Sequence, residues 1–211
     1  VEKHTRILIL SPHVDDGELG CGATINRFIQ EGKEVVYVAF SLAEESIPTQ
    51  FTKETTEIEV KRATFILGIA PSNLLIYKFP VRNFPEFRQN ILDSIIKLRD
   101  LWKPDLVFLP CSYDTHQDHK VIYEEGFRAF KHTSMFGYEL PNNNRQFSTD
   151  VFININEFNV KSKIDAIKEY ESQGMKPYMT RVAIMSLALL RGIQSGNNFA
   201  ECFEAIRWVI K

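Results

Sequence analysis

Cysteine is scarce in this sequence: three occur in 211 residues, Cys21, Cys111 and Cys202. They lie far apart, with no CxxC pair and no even framework, which excludes a disulfide scaffold and reads as free thiols in a reducing compartment. A surplus of one charge is also missing. The formal net charge is -2, which gives neither the basic footprint of a nucleic-acid binder nor a membrane-surface patch, so no nucleic-acid partner is expected. No apolar run approaches the ~20 residues of a membrane span. The opening Val1-Glu2-Lys3-His4-Thr5-Arg6 lacks the layout of a signal peptide, and the expectation is a cytoplasmic protein. Internal repeats, low-complexity tracts and linkers are absent as well. The reading is therefore one domain over 1–211, with an α/β core over about 1–130 and a C-terminal extension of the same domain over about 131–211. Apolar residues make up 44% of the chain, enough at this length to bury a sizeable core.

What is present alternates. Ile7-Leu8-Ile9-Leu10 and Val35 to Phe40 are short runs apolar on both faces, the pattern of buried parallel strands. Leu74 to Phe79 and Leu106-Val107-Phe108-Leu109 read the same way. Between them, helices are expected over Gly22 to Glu31, Glu57 to Leu67 with a stop at Gly68, and Asn90 to Trp102. Strands alternating with helices of this length predict βαβ units and an α/β fold: a Rossmann-like, doubly wound, mostly parallel sheet with helices on both faces. Further on, Val151 to Ile155 is a strand candidate and Val160 to Glu171 a helix.

Two motifs follow strands. The first strand leads into Ser11-Pro12-His13-Val14-Asp15-Asp16, and the fourth into Asp114-Thr115-His116-Gln117-Asp118-His119. In open parallel sheets ligands bind beyond the carboxyl ends of the strands, so both clusters fall on one edge, distant in sequence and close in space. Zinc accepts imidazole nitrogen and carboxylate oxygen, and a catalytic site keeps one position open. His13, Asp16 and His119 could supply two nitrogens and one oxygen, leaving Asp15 to face the attacking water as general base. A tetrahedral intermediate needs a donor near its oxyanion, and His116 is the natural candidate. Asp118 or Asp114 is placed to orient one of the histidine rings. The donor set also accepts Fe2+ or Co2+ in place of Zn2+.

These residues resemble a known family. Pro12-His13-Val14-Asp15-Asp16 is similar to the P-H-P-D-D motif of the LmbE-like, or PIG-L, deacetylases, which remove the N-acetyl group from N-acetylglucosamine conjugates and related sugars. Gly20-Cys21-Gly22-Ala23-Thr24-Ile25 resembles the family's glycine-rich first helix, and Lys103-Pro104-Asp105 leading to His116–His119 its second motif. Lys163, Ala166-Ile167, Tyr170 and Ser172-Gln173 look like its K…AI..Y.SQ segment. Arg191-Gly192, Ala200-Glu201 and Phe203 look like its RG…AE.F ending. The resemblance implies a zinc-dependent N-deacetylase acting on a small-molecule amino sugar, with His13, Asp16 and His119 as ligands, Asp15 as base and His116 on the oxyanion. It also implies self-association into a homo-oligomer. Three positions depart from the pattern: Val14 stands for proline, Gly17 for glutamate, and Thr56 for an arginine tied to substrate binding, with Lys53 or Arg62 as stand-ins.

Three alternatives accompany this reading. Glu18 to Thr24 superficially resembles the glycine loop of S-adenosylmethionine methyltransferases, but that loop should follow its strand directly and no GxGxxG is present. Gly20 and Gly22 more simply allow a close approach of helix to sheet. A carbohydrate-binding homologue without activity is the second alternative, and a metal-dependent hydrolase of another amide or an ester the third. Specificity is expected from the loops Ser41–Thr56, Phe79–Arg88 and Tyr138–Gln146. Phe84, Phe87 and Tyr138 are candidates to stack on a sugar, although packing is the commoner use of loop aromatics.

Overall fold

The computed structural model describes residues 4–174 and 176–210. Strand β1 (Arg6–His13) is buried along almost its whole length, because alternate side chains enter two different layers. Ile7 and Ile9 join one apolar cluster, Leu8 and Leu10 the other. The same division holds in β2 (Glu34–Ser41), where Val35, Tyr37 and Ala39 face one way and Val36, Val38 and Phe40 the other. With β3 (Leu74–Ile76), β4 (Leu106–Pro110), β5 (Ser134–Tyr138), β6 (Val151–Ile155) and β7 (Phe199–Arg207), the described residues form one sheet in the order β3-β2-β1-β4-β5-β7-β6. The first five strands are parallel, and β7 runs antiparallel to both β5 and β6. This is a doubly wound α/β sheet, mostly parallel.

Helices α1 (Asp16–Gln30), α2 (Thr55–Leu67) and α5 (Glu157–Lys168) cover one face; α3 (Arg88–Trp102) and α4 (Gln117–Ala129) cover the other. Helix α6 (Arg181–Ser195) packs beside β7. The predicted stop of α2 is present as a left-handed C-cap at Gly68 (φ 95°), a conformation in which a Cβ is strained. Burial of a leucine such as Leu98 or Leu67 in these layers is worth about 2–5 kcal/mol against alanine.

The helix expected from Gly22 starts six residues earlier, at Asp16, and is broken at Cys21 (φ -146°, ψ 22°). The break frees amide groups of the following turn, and Glu201 on β7 accepts from Ala23 N and Thr24 N at 3.3 and 2.7 Å. A distant carboxylate thus caps the second half of the helix, a partner no local pattern announces. Gly20 sits where a Cβ would lie 2.4 Å from the Tyr138 ring, so this glycine serves the close approach of helix to sheet. The third strand is shorter than its apolar run: only Leu74–Ile76 pairs regularly, and Tyr77 and Phe79 reach Ala39 O and Phe40 O irregularly. Helix α5 begins at Glu157, three residues before the expected start, because Asn156 and Asn159 form a reciprocal cap. Helix α4 and strand β5 have no counterpart in the sequence reading.

Candidate active site at the ends of β1 and β4

The chain winds outward from β1 through β2 to β3, then returns to lay β4 on the other side of β1. The crevice between β1 and β4 is therefore the switch point of the sheet. β1 ends at His13, and the loop after β4 carries Asp114 to His116 into α4. Two predicted motifs about 100 residues apart meet there because of this topology.

The turn after β1 is stitched internally. The His13 amide donates to Asp16 Oδ2 at 2.9 Å, and the Gly17 amide donates to Ser11 Oγ at 2.9 Å. Beneath it, Tyr37 donates to Ser11 Oγ at 2.9 Å and also meets Glu18, while Tyr170 donates to Glu18 Oε1 at 2.7 Å and reaches Val14 O. On the other side, His116 caps α4: its Nδ1 accepts the Asp118 amide at 3.2 Å, and its own amide donates to Asp114 Oδ1 at 2.8 Å.

These turns bring three donor atoms together. Asp16 Oδ2 lies 3.1 Å from His13 Nδ1 and 3.1 Å from His119 Nε2, and the two nitrogens are 3.2 Å apart. Ligand atoms bound tetrahedrally at about 2.0–2.2 Å would stand roughly 3.3–3.6 Å from each other, so this triangle could hold a divalent cation with little adjustment. The outer nitrogens are already committed: His13 Nε2 to Asp118 Oδ2 at 2.9 Å and His119 Nδ1 to Asp114 Oδ2 at 2.8 Å. Carboxylates behind the rings direct the inner lone pairs to a common point.

His116 joins the cluster, since its imidazole comes within 4.8 Å of the ligating atoms of the other two. Its Nδ1 is occupied as an acceptor, however, so the proton of the neutral ring belongs on Nε2. That leaves an N–H donor rather than a lone pair for the cavity.

The carboxylates that favour a proton on His13 and His119 would favour a cation in its place, and they set these two rings apart from His116. Burial opposes charge on His119, yet Asp16 and Asp114 raise it to about 10. His13 is likewise raised: burial works against it, and Asp118 and Asp16 outweigh burial. Burial would lift Asp16, but His119 and His13 hold it well below the usual carboxylate range. His116 moves the other way, down to about 4, through burial and repulsion by His119 and His13. Asp15 is pushed up to about 6 by burial and by Asp16, with Lys176 and His13 pulling it back.

Asp15, His13, Asp16, His116 and His119 all line one cavity of about 210 Å³, together with Ser46, Arg82, Asn142, Gln173 and Tyr178. Asp114 and Asp118 stand behind the histidines. Arg82, Lys176 and Tyr178 were not singled out by sequence reasoning. Arg82 alone carried a local sign, a left-handed backbone (φ 69°) fixed by Asp118 and Gln117, and that is visible only in the fold. The aromatic candidates serve packing: Phe84 is buried against His13 and Phe79, the half-buried Phe87 packs on Phe79, and Tyr138 donates to Leu10 O at 3.0 Å. Thr56 is buried, and neither it nor Lys53 nor Arg62 lines the cavity.

The PIG-L family model, described as GlcNAc-PI de-N-acetylase, matches residues 8–130, which contain both motifs. The chain belongs to the PIG-L family. Its relatives extend the likeness beyond the matched region. The uncharacterized deacetylase YaiS of Escherichia coli K12 is 28% identical over 181 residues, covering 81% of this chain and 92% of the relative. Diacetylchitobiose deacetylase of Thermococcus kodakarensis is 26% identical, covering 97% and 83%. The conserved protein TT1542 from Thermus thermophilus superimposes with a TM-score of 0.81 at 26% identity, over 98% of this chain and 97% of that one. As a PIG-L protein the chain is an enzyme of a deacetylase family. No helix among the described residues is long and apolar enough to cross a membrane.

Proposed function

We propose that this chain is a zinc-dependent N-deacetylase that hydrolyses the acetamide of an N-acetylated amino sugar or its conjugate. The observation that carries the reading is the triangle of Asp16 Oδ2, His13 Nδ1 and His119 Nε2, with Asp15 in the same cavity. Membership of the PIG-L family and the Thermococcus relative named for diacetylchitobiose support the reaction class. Two nitrogens and an oxygen suit Zn2+, and Fe2+ or Co2+ equally as substitutes. When bound, such a cation would supply Lewis acidity and lower the pKa of water to about 7.

The remaining work falls to this chain's own side chains. Asp15 takes a proton from the attacking water and returns it to the nitrogen as the C–N bond breaks, leaving acetate and the free amine. The elevated pKa of Asp15 suits a group that must both accept and donate near neutrality. His116, neutral and protonated on Nε2, donates to the oxygen anion of the tetrahedral intermediate. Asp118 and Asp114 hold the rings of His13 and His119. Glu18, Tyr37 and Tyr170 brace the turn that carries Asp15. Lys176 and Tyr178 enter the cavity from beyond residue 130, so 1–211 works as one unit. In this reading the protein acts in the cytoplasm on a small-molecule sugar.

Substituting Asp15 by alanine tests the assignment. Turnover of N-acetylglucosamine or diacetylchitobiose should fall at least about 10²-fold, the scale of general-base catalysis, with bound zinc retained. Unchanged turnover would remove Asp15 from the reaction.

A further inference from the structure

Residues 169–180 carry the chain from α5 to α6 and supply one wall of the catalytic cavity. Two short 3-10 turns lie along this segment, Glu171–Gln173 and Pro177–Met179, and Gln173, Lys176 and Tyr178 line the cavity. Turns of this length do not fix their own place, so ties to the core decide where the wall stands.

Those ties are specific. Tyr170 is buried and donates to Glu18 Oε1 at 2.7 Å. Two residues further, the Ser172 amide donates to Glu59 Oε1 at 2.8 Å and the Ser172 hydroxyl to Glu59 Oε2 at 2.5 Å. At the far end Met179 is buried, and Thr180 caps α6 by accepting the Ala183 amide at 3.3 Å. Glu59 is the unexpected member. It stands on α2, is buried, and does not line the cavity. Both of its oxygens serve Ser172, 113 positions away in sequence. Burying a carboxylate costs free energy that an apolar side chain at the same place would not, and here the carboxylate holds one residue of the cavity wall.

The wall has a single chemical character. Gln173 Oε1 accepts Lys176 Nζ at 3.1 Å. A lysine has only donors, so the amide oxygen of Gln173 must face it and the amide nitrogen must face away. That nitrogen has no partner among the described residues, and the ammonium keeps hydrogens beyond the one given to Gln173. Lys176 also stands close enough to Asp15 to act on its charge. The wall therefore presents N–H donors beside the proposed base.

We propose that Gln173 and Lys176 are specificity-determining residues that donate to hydroxyl oxygens of the sugar, and that Glu59 is a positioning residue that sets them there through Ser172. The proposal rests on the deacetylase reading and assigns to that site the groups that recognise the sugar ring. A site built to hydrogen-bond a hydroxyl rejects an analogue that lacks it, because its own polar groups are then left unpaired.

The test compares N-acetylglucosamine with its 3-deoxy, 4-deoxy and 6-deoxy analogues on the zinc-loaded enzyme. Loss of a hydroxyl that the wall reads should lower kcat/KM about fivefold, the worth of one hydrogen bond. Gln173→Leu should level the series. Glu59→Gln and Ser172→Ala should level it from outside the cavity, raising KM for the parent sugar more than they lower kcat, with zinc content unchanged. Ser172→Ala is the milder variant, because the amide bond to Glu59 survives it. A flat series on the wild-type enzyme, or a preference kept in Glu59→Gln and Ser172→Ala, would overturn the proposal and leave the deacetylase standing. If no sugar releases acetate, calorimetry of the same sugars on the zinc-loaded proteins separates the two readings. A preference in affinity that the variants lose would support the wall and remove the reaction; equal affinities would overturn both.

Discussion

His13 Nε2 lies 2.9 Å from Asp118 Oδ2, and that same oxygen accepts the Arg82 amide at 2.6 Å. One carboxylate therefore fixes a proposed metal ligand and a turn that lines the same cavity. Its other oxygen takes the Phe84 amide at 3.2 Å. Asp118→Ala should weaken zinc binding about 10–100-fold, the usual effect of losing the partner behind a ligating histidine. KM should rise as well, because the Arg82 turn is released. Competition against a chromogenic chelator measures the first effect, and initial rates the second; unchanged zinc affinity would detach Asp118 from the site.

The base should be visible in the pH profile. Asp15 is pushed up to about 6 by burial and by Asp16, and it must be deprotonated to accept a proton. Activity should then be lost as pH falls through about 6, or lower with the cation in place, since a nearby positive charge favours the carboxylate. Lys176 pulls in the same direction. Lys176→Met should move the acid limb of kcat/KM upward, by less than about one pH unit. A limb that stays in place would separate Lys176 from Asp15.

Glu18 offers a test through stability. Burial raises its carboxyl from 4.5 to about 8, against hydrogen bonds from Tyr37 and Tyr170 that lower it. The folded chain thus holds this proton more tightly than the unfolded chain does. Stability from this group is complete below pH 4.5 and declines as pH rises toward about 8. Glu18→Gln should remove that decline, and at pH 8 the variant should gain about 1–3 kcal/mol relative to its standing at pH 5. Urea unfolding at the two pH values measures the difference; identical pH dependence in both proteins would contradict it.

Gly20 is a packing position. A Cβ there would lie 2.4 Å from the Tyr138 ring, and that ring is buried and tied to Leu10 O. Gly20→Ala should cost about 1–3 kcal/mol, a fall in Tm of roughly 3–10 °C for a chain of this size. Thermal unfolding settles it.

How much of this was legible in the sequence follows from where each signal resides. β1, β2 and β4 are apolar on both faces, and that pattern needs no partner to be read. The two His/Asp motifs stood out for the same reason, since such clusters follow strand ends directly. Helix α4 was hidden because its first turn is made of Gln117, Asp118 and His119, residues spent on chemistry and not on a helical stripe. β5 was hidden because it is five residues long and contains Gly137. The start of α1 was masked by Gly17, Gly20 and Gly22, and its break at Cys21 is stabilised by Glu201, 177 residues away from Thr24. Arg82, Lys176 and Tyr178 reach the cavity only through topology. Lys163 and Arg191 were visible as motif residues, but their partners Glu201 and Glu139 come from other elements.

The central claim is a cation-dependent hydrolysis at the His13, Asp16 and His119 triangle. The most direct test is metal content of the purified protein, measured together with amine release from N-acetylglucosamine and diacetylchitobiose as zinc is added or chelated. About one metal per chain, as for a single catalytic site, with release that appears on zinc addition and vanishes on chelation, is the predicted result. No bound metal under any condition, or release indifferent to chelation, would contradict it.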